Sequence, residues 1–261
     1  MSSINDGVDF IYGGISSQEF GLKIASGFGS TTRLGNVETR EIITSYNPSN
    51  KTFGFHGIKY SSPSTFDLII YKEDGTFINV DEERQLKKWL LTSKYNWLSV
   101  NQDSLNAISY YCIATQCTIL DVGAYSGGML ISFQNDSTGA WSNINTKQYS
   151  ISGTQSFKLY MDTDYDDEFI LPIVTIAPTS NGNISINNAT RNEEIIINNC
   201  TLGEVIILDS FSGKISTTSN NLLINRWNKK YLKLHDGYNN IILTGEFNLT
   251  IKYRQQIRVG G

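Results

Sequence analysis

The chain has 261 residues, of which 39% are hydrophobic, 18% charged and 11% aromatic, and its formal charge is −4. That length suits one large β domain or two of ordinary size, and the apolar and aromatic content excludes a disordered chain. So small a net charge excludes a general attraction to nucleic acid or anionic lipid. No apolar run approaches the ~18 residues that a membrane-crossing helix needs, and residues 1–14 lack the basic start and apolar stretch of a secretion signal. The sequence therefore reads as that of a protein folded in a cytoplasm, with sequons such as Asn183-Ile184-Ser185 being chance products of an Asn-rich composition. Charge is unevenly spread: residues 1–140 carry 10 Lys and Arg against 14 Asp and Glu, residues 141–261 carry 11 against 11.

Short β-rich stretches separated by glycine-marked turns begin at Phe10-Ile11-Tyr12 and continue through residues 65–71. Residues 81–91 break the pattern, with Leu86, Trp89 and Leu90 on one face at helical spacing. Asp81 is the expected N-cap, Glu82 and Glu83 suit the positive helix start, and Glu83 faces Lys87 one turn on. Trp89 is then a core anchor of a helix lying on a sheet. Three cysteines, Cys112, Cys117 and Cys200, make an odd number, and on a regular strand Cys112 and Cys117 fall on opposite faces, so no structural disulfide is expected.

Between residues 134 and 155 the pattern dissolves into Asn, Ser, Thr and Gly around Ala140-Trp141, the best place for a domain boundary. Strand signals resume at 157–161 and recur at 171–177, 183–187, 194–198 and 204–209. Residues 241–244 and 247–253 read as a closing hairpin turning at Gly245-Glu246. Seven or more short strands without a helix describe a two-sheet sandwich or jelly roll, and no repeat of 20–50 residues is present.

Candidates for chemistry are few. His56 and His235 are the only residues that titrate unperturbed near neutral pH; both lie in turn-like stretches and neither belongs to a catalytic motif. Cys112 and Cys117 have no second pair for zinc. The acidic run Asp162-Thr163-Asp164-Tyr165-Asp166-Asp167-Glu168 begins like a calcium loop, but it has Asp167 where Gly is needed and Ile173 where the closing Glu belongs. It reads instead as a solvated acidic stretch. A basic complement lies in the C-terminal segment, at Arg226, Lys229, Lys230, Lys233, Lys252, Arg254 and Arg258. Trp227 and Tyr231, set among those cations, read as packing residues before sugar or base platforms. Gly13-Gly14, Gly27-x-Gly29 and Gly127-Gly128 match no phosphate-binding fingerprint. No catalytic, cofactor-binding or metal-binding residue is assigned, and the composition points to binding or scaffolding.

Taken in order, these landmarks resemble the distal tail (Dit) proteins of long, non-contractile-tailed phages and prophages of Gram-positive bacteria. The resemblance rests on Phe10-Ile11-Tyr12-Gly13-Gly14-Ile15-Ser16-Ser17 with Phe20-Gly21-Leu22, on Phe55-His56-Gly57-Ile58-Lys59-Tyr60, and on Phe66-Asp67-Leu68-Ile69-Ile70. It continues through Glu83-Arg84, Trp89-Leu90 and Tyr95-Asn96-Trp97-Leu98 to Tyr238-Asn239-Asn240-Ile241-Ile242-Leu243-Thr244-Gly245 and the ending after Ile251. Gly237-Tyr238-Asn239 and Pro63-Ser64-Thr65-Phe66 depart from the family pattern at turn or packing positions. The resemblance implies a mainly β protein: an N-terminal β-barrel-like domain with one helix over residues 1–140, and a C-terminal galectin-like β-sandwich over 141–261. It implies a homohexameric ring, formed by the N-terminal domains at the distal end of the virion tail. Its partners there are the tail tube protein, the tail-tip hub protein, and receptor-binding or baseplate proteins. DNA passes the channel without specific binding, there is no membrane insertion, and no enzyme activity or cofactor is implied. The competing reading is a carbohydrate-binding β-sandwich of tail-fibre or lectin type; a cell-wall hydrolase comes third.

Overall fold

The computed structural model describes residues 8–25, 40–60, 63–101, 107–121, 127–165 and 169–258. The protein is mainly β with one α-helix, and it divides into two compact units, Met1–Trp141 with the last four residues, and Ser142–Ile257.

The strands of the first unit are β1 (Asp9–Tyr12), β2 (Ile15–Ser16), β3 (Leu22–Ile24), β4 (Arg40–Asn47), β5 (Thr52–Tyr60), β6 (Thr65–Lys72), β7 (Asn96–Asn101), β8 (Ile108–Asp121), β9 (Gly127–Asn135) and β10 (Ala140–Ser142). Seven of them form one antiparallel sheet in the order β2-β1-β7-β8-β9-β6-β3. Its ends approach where the Ile24 N–H donates to the Val8 carbonyl at 3.0 Å, so the sheet curls toward a barrel. Alternate residues of β6 and β9, including Phe66, Leu68, Ile70, Met129, Ile131 and Phe133, point into the core.

Helix α1 (Val80–Leu90) buries Leu86, Trp89 and Leu90 in that core, at the spacing read from the sequence, and Glu83 pairs with Lys87 at 2.5 Å. Its cap is Asn79, not Asp81. Asn79 Oδ1 accepts from the Glu82 N–H and the Glu82 carboxylate accepts from the Asn79 N–H, both at 2.9 Å. This reciprocal capping box satisfies two otherwise orphaned donors and displaces Asp81 into the first turn.

Strand β8 overturns the reading of its cysteines. A bulge between Ala114 and Gln116 inserts one extra residue, so Cys112, Ala114 and Cys117 oppose Asn135, Phe133 and Ile131. Both cysteines therefore face the same core. Four register steps still separate them by roughly 13 Å, far beyond disulfide reach. Both thiols are free, and burial pushes Cys112 well up and Cys117 to about 11.

The second unit contains β11 (Asn145–Met161), β12 (Ile173–Pro178), β13 (Gly182–Asn188), β14 (Glu193–Cys200), β15 (Ile206–Asp209), β16 (Lys214–Thr217), β17 (Gly237–Tyr253) and β18 (Gln256–Ile257). The expected hairpin at Gly245-Glu246 does not exist. β17 runs through that point without a turn and pairs with β11 along all seventeen residues of each. The Asn- and Ser-rich stretch read as boundary loop thus becomes strand from residue 145 onward. Gly153 and Gly245 face each other in this ribbon, with φ of +73° and +131°. A Cβ on Gly245 would stand 3.0 Å from the Asn183 carbonyl oxygen. The glycine pair is a bend, and at it β17 changes its second neighbour, from β13 before to β12 after. Ile241, Leu243, Phe247, Leu249 and Ile251 stay on one side throughout, so the folded-over sheet closes a sandwich around a single core.

A candidate assembly site

The residues that carry the resemblance near the N-terminus build a packing knot. Ser16 caps a 3-10 turn at Ser17–Phe20 in a capping box with Glu19, and Gly21 ends it in the left-handed conformation, φ +64°. The Ser17 hydroxyl accepts from the Phe10 N–H at 3.1 Å. That geometry brings Phe10 and Phe20 into stacking contact with Trp89, at 5.6 and 4.8 Å between ring centres, with Tyr12 edge-on at 6.4 Å. The Trp89 indole N–H donates to the Tyr12 carbonyl at 3.0 Å. These motif residues hold the helix on the sheet and are otherwise consumed. Beside the knot lies a cavity of about 240 Å³ bordered by Glu19, Lys72 and Glu82, in which Lys72 and Glu82 pair at 2.8 Å.

The feature that the fold leaves unsatisfied is the β4–β5 hairpin. Among the described residues it joins no other strand. Its register sets Ile42 against Ile58, Thr44 against Phe55 and Tyr46 against Phe53. Those six side chains share one face, and its apolar members are exposed, Phe53 by 70%, Phe55 by 65% and Ile42 by 60%. The other face carries the Glu41–Lys59 and Asn47–Thr52 pairs and Ser45 opposite Gly54, with Ile43, opposite Gly57, as its one large apolar side chain.

A bulge makes this division possible. Between Ile43 and Thr44 the register shifts so that His56 is the extra residue of β5, which keeps Phe53, Phe55 and Ile58 on one side despite the odd spacing. His56 thus lies on a strand and not in a turn, and its Nε2 is 2.5 Å from Ser45 Oγ. A two-stranded ribbon with one apolar and one mainly polar face is marginal alone in water and gains stability by covering the apolar side.

The other sequence candidates are dispersed. His235 is buried beside Phe169, and its backbone N–H donates to Asn239 Oδ1 at 2.9 Å. Burial, aided by the charges of Arg191 and Lys233, holds its pKa below the usual value. Arg226 is buried and paired with the buried Glu204 carboxylate, not with the acidic run. Trp227 and Tyr231 pack edge to face, and the indole N–H donates to the Lys230 carbonyl. Of the acidic run, residues 166–168 lie outside the described residues. Among the described residues no three His, Cys, Asp or Glu side chains come together as a metal set, and no helix is long and apolar enough to cross a membrane.

Comparison with known proteins places the chain in a family. Residues 5–137 match the family model described as the phage tail protein N-terminal domain, and residues 140–253 match the phage tail C-terminal domain. The chain belongs to this family of phage tail proteins. Its fold is that of a distal tail protein: the Dit protein of SPP1, a paradigm of the hub adsorption apparatus in phages infecting Gram-positive bacteria, is similar with a TM-score of 0.64. The two share 8% sequence identity, over 94% of this chain and 98% of that one. No curated protein matches the sequence.

Proposed function

We propose that the protein is a non-enzymatic hub of the virion tail tip, in which six copies close head to tail into a ring through residues 1–140. On this reading one side of the ring meets the tail tube and the other the tail-tip hub protein. The outward units, residues 141–261, hold receptor-binding or baseplate proteins, and DNA passes through the central channel. The observation that carries the proposal is the β4–β5 arm. A closed cyclic interface uses two different patches on each copy, so an arm on one copy with an uncovered apolar face suits a neighbour's surface. Family membership and the Dit-like fold support the same reading. The charge of −4 on residues 1–140 becomes −24 over six copies, a sign that disfavours DNA sticking during passage.

Electron microscopy and mass measurement of the purified protein, alone and with the tail tube protein, test the proposal. Six-fold rings with Phe53 and Phe55 against the neighbouring copy are expected. A monomer in both conditions, or a ring that leaves the arm in solvent, overturns it. One observation favours sugar binding as a second reading: Tyr160 and Tyr238 are exposed cross-strand neighbours, 5.0 Å between ring centres, with Lys158 and Asn240 alongside. Glycan-array binding that is lost in Tyr238→Ala is the outcome that would establish it.

A further inference from the structure

Head-to-tail closure needs a second patch on the same unit to receive the arm, and the cavity beside the packing knot has the dimensions of one. About 240 Å³ lies between the 3-10 turn and α1, lined by the apolar Phe20, Leu22, Ile78 and Leu86, with Glu19 and the Lys72–Glu82 pair at its border. An engineered cavity of about 150 Å³ holds benzene, so this one has room for one phenyl ring and too little for two. Glu19 is exposed, which puts the mouth at the surface. Phe77 and Val80, on either side of Ile78 and Asn79, are 56% and 81% exposed. Bare apolar side chains beside an apolar-walled cavity gain by covering with an apolar group.

Charge selects the occupant. Residues 72–84, from the end of β6 into α1, carry Glu73, Asp74, Asp81, Glu82 and Glu83 against Lys72 and Arg84, whereas residues 40–60 carry Arg40, Lys51 and Lys59 against Glu41. The receiving surface is acidic and the arm basic. Glu73, Glu82 and Glu83 pair with Lys23, Lys72 and Lys87, but Asp74 and Asp81 have no ion pair among the described residues. At the turn of the arm Lys51 takes the left-handed conformation, φ +57°, two residues before Phe53, whose ring lies 5.2 Å from that of Tyr46. The tip thus presents exposed aromatic rings with a cation beside them, the complement of a ring-sized cavity edged by carboxylates. We propose that this cavity is the socket of the arm: the Phe53 ring of a neighbouring copy enters it, and Lys51 of that copy meets the acidic start of α1. The inference rests on the reading of β4–β5 as the arm between copies, and names the surface that receives it.

Photo-crosslinking of the full-length protein tests it. Chains carrying p-benzoylphenylalanine at position 53 are mixed with heavy-isotope-labelled wild-type chains, alone and with the tail tube protein, and the cross-linked peptides are read by mass spectrometry. Cross-links to residues 19–22 or 77–86 of the heavy chain are expected. Heavy-chain cross-links elsewhere overturn the socket and leave the arm standing as a contact between copies. No heavy-chain cross-links in either condition overturn both, because the arm then meets no neighbour. The double variant Phe77→Ser/Val80→Ser, whose fold is checked by its melting curve, should weaken association by about ten-fold, and Lys51→Glu by about three-fold. Assembly that is lost in Phe53→Ser/Phe55→Ser but intact in Phe77→Ser/Val80→Ser overturns the socket alone.

Discussion

If copies assemble through the β4–β5 arm as proposed, replacing Phe53 and Phe55 together with serine should dissolve the assembly while leaving each copy folded. A phenylalanine presents about 200 Å² in an extended chain, and Phe53 and Phe55 keep 70% and 65% of theirs exposed. Covering the remaining ~130–140 Å² of each stabilises an interface by about 3 kcal/mol per ring, taking ~25 cal/mol per Å². Loss of both side chains therefore weakens each interface by roughly 5 kcal/mol, after allowing for imperfect burial, or more than a thousandfold in its association constant. Mass photometry across micromolar concentrations reads the assembly state, and thermal melting checks the fold. The control Thr52→Ala lies on the polar face and should assemble normally. Rings of unchanged stability in the double variant would refute the assignment of the arm.

Trp89→Ala should destabilise the first unit by about 3–5 kcal/mol, since it empties a site contacted by three aromatic rings and strips the Tyr12 carbonyl of its donor; denaturant unfolding measures it, and a loss below 1 kcal/mol would contradict the packing described. Gly245→Ala should cost roughly 2–3 kcal/mol and lower the melting temperature of the second unit by about 10 °C, because an L side chain is strained at φ +131° and its Cβ meets the Asn183 carbonyl. Acid should weaken the second unit in two stages. Burial lowers the His235 pKa below 6.5, so the stability contributed by the neutral ring is complete above about 6.5 and declines as pH falls and the unfolded chain takes up the proton first. For Glu204 burial raises the pKa, but the bonds from Arg226, Thr217 and Thr201 outweigh it and bring it below 4.5. Its contribution is present above about 4.5 and is lost at lower pH. Melting temperatures followed from pH 8 to 3 should show both declines, and His235→Gln should abolish the upper one alone.

The helix was legible because Leu86, Trp89 and Leu90 repeat at its period, and local spacing is what sequence displays best. Its true cap was also visible, as Asn79 followed three residues later by Glu82, but the run of acids made Asp81 the more obvious choice. Features that depend on register were not legible. One bulged residue moved Cys117 onto the face of Cys112, and another aligned Phe55 with Ile58; alternation counted along the sequence assumes no such insertion. Gly245-Glu246 resembled a hairpin turn, although the apolar residues at 241, 243, 247, 249 and 251 keep one parity across it. A continuous strand was the better reading of that parity. The resemblance to distal tail proteins located the Phe55–Tyr60 stretch but not the amphipathic ribbon it belongs to, since the ribbon depends on pairing with residues 40–47.

The long ribbon of the second unit also sets an order on synthesis. Its partners Met161 and Gly237 are 76 residues apart, and Asn145 and Tyr253 are 108 apart. Since β17 contacts β11, β12 and β13, the sandwich waits for residues 237–253 to leave the ribosome. Pairings this distant close slowly. All strands of the first unit's sheet except the short β18 end by residue 142, so most of that sheet is free to form meanwhile, and a nascent chain stalled before residue 237 carries β11 without the neighbour that defines it.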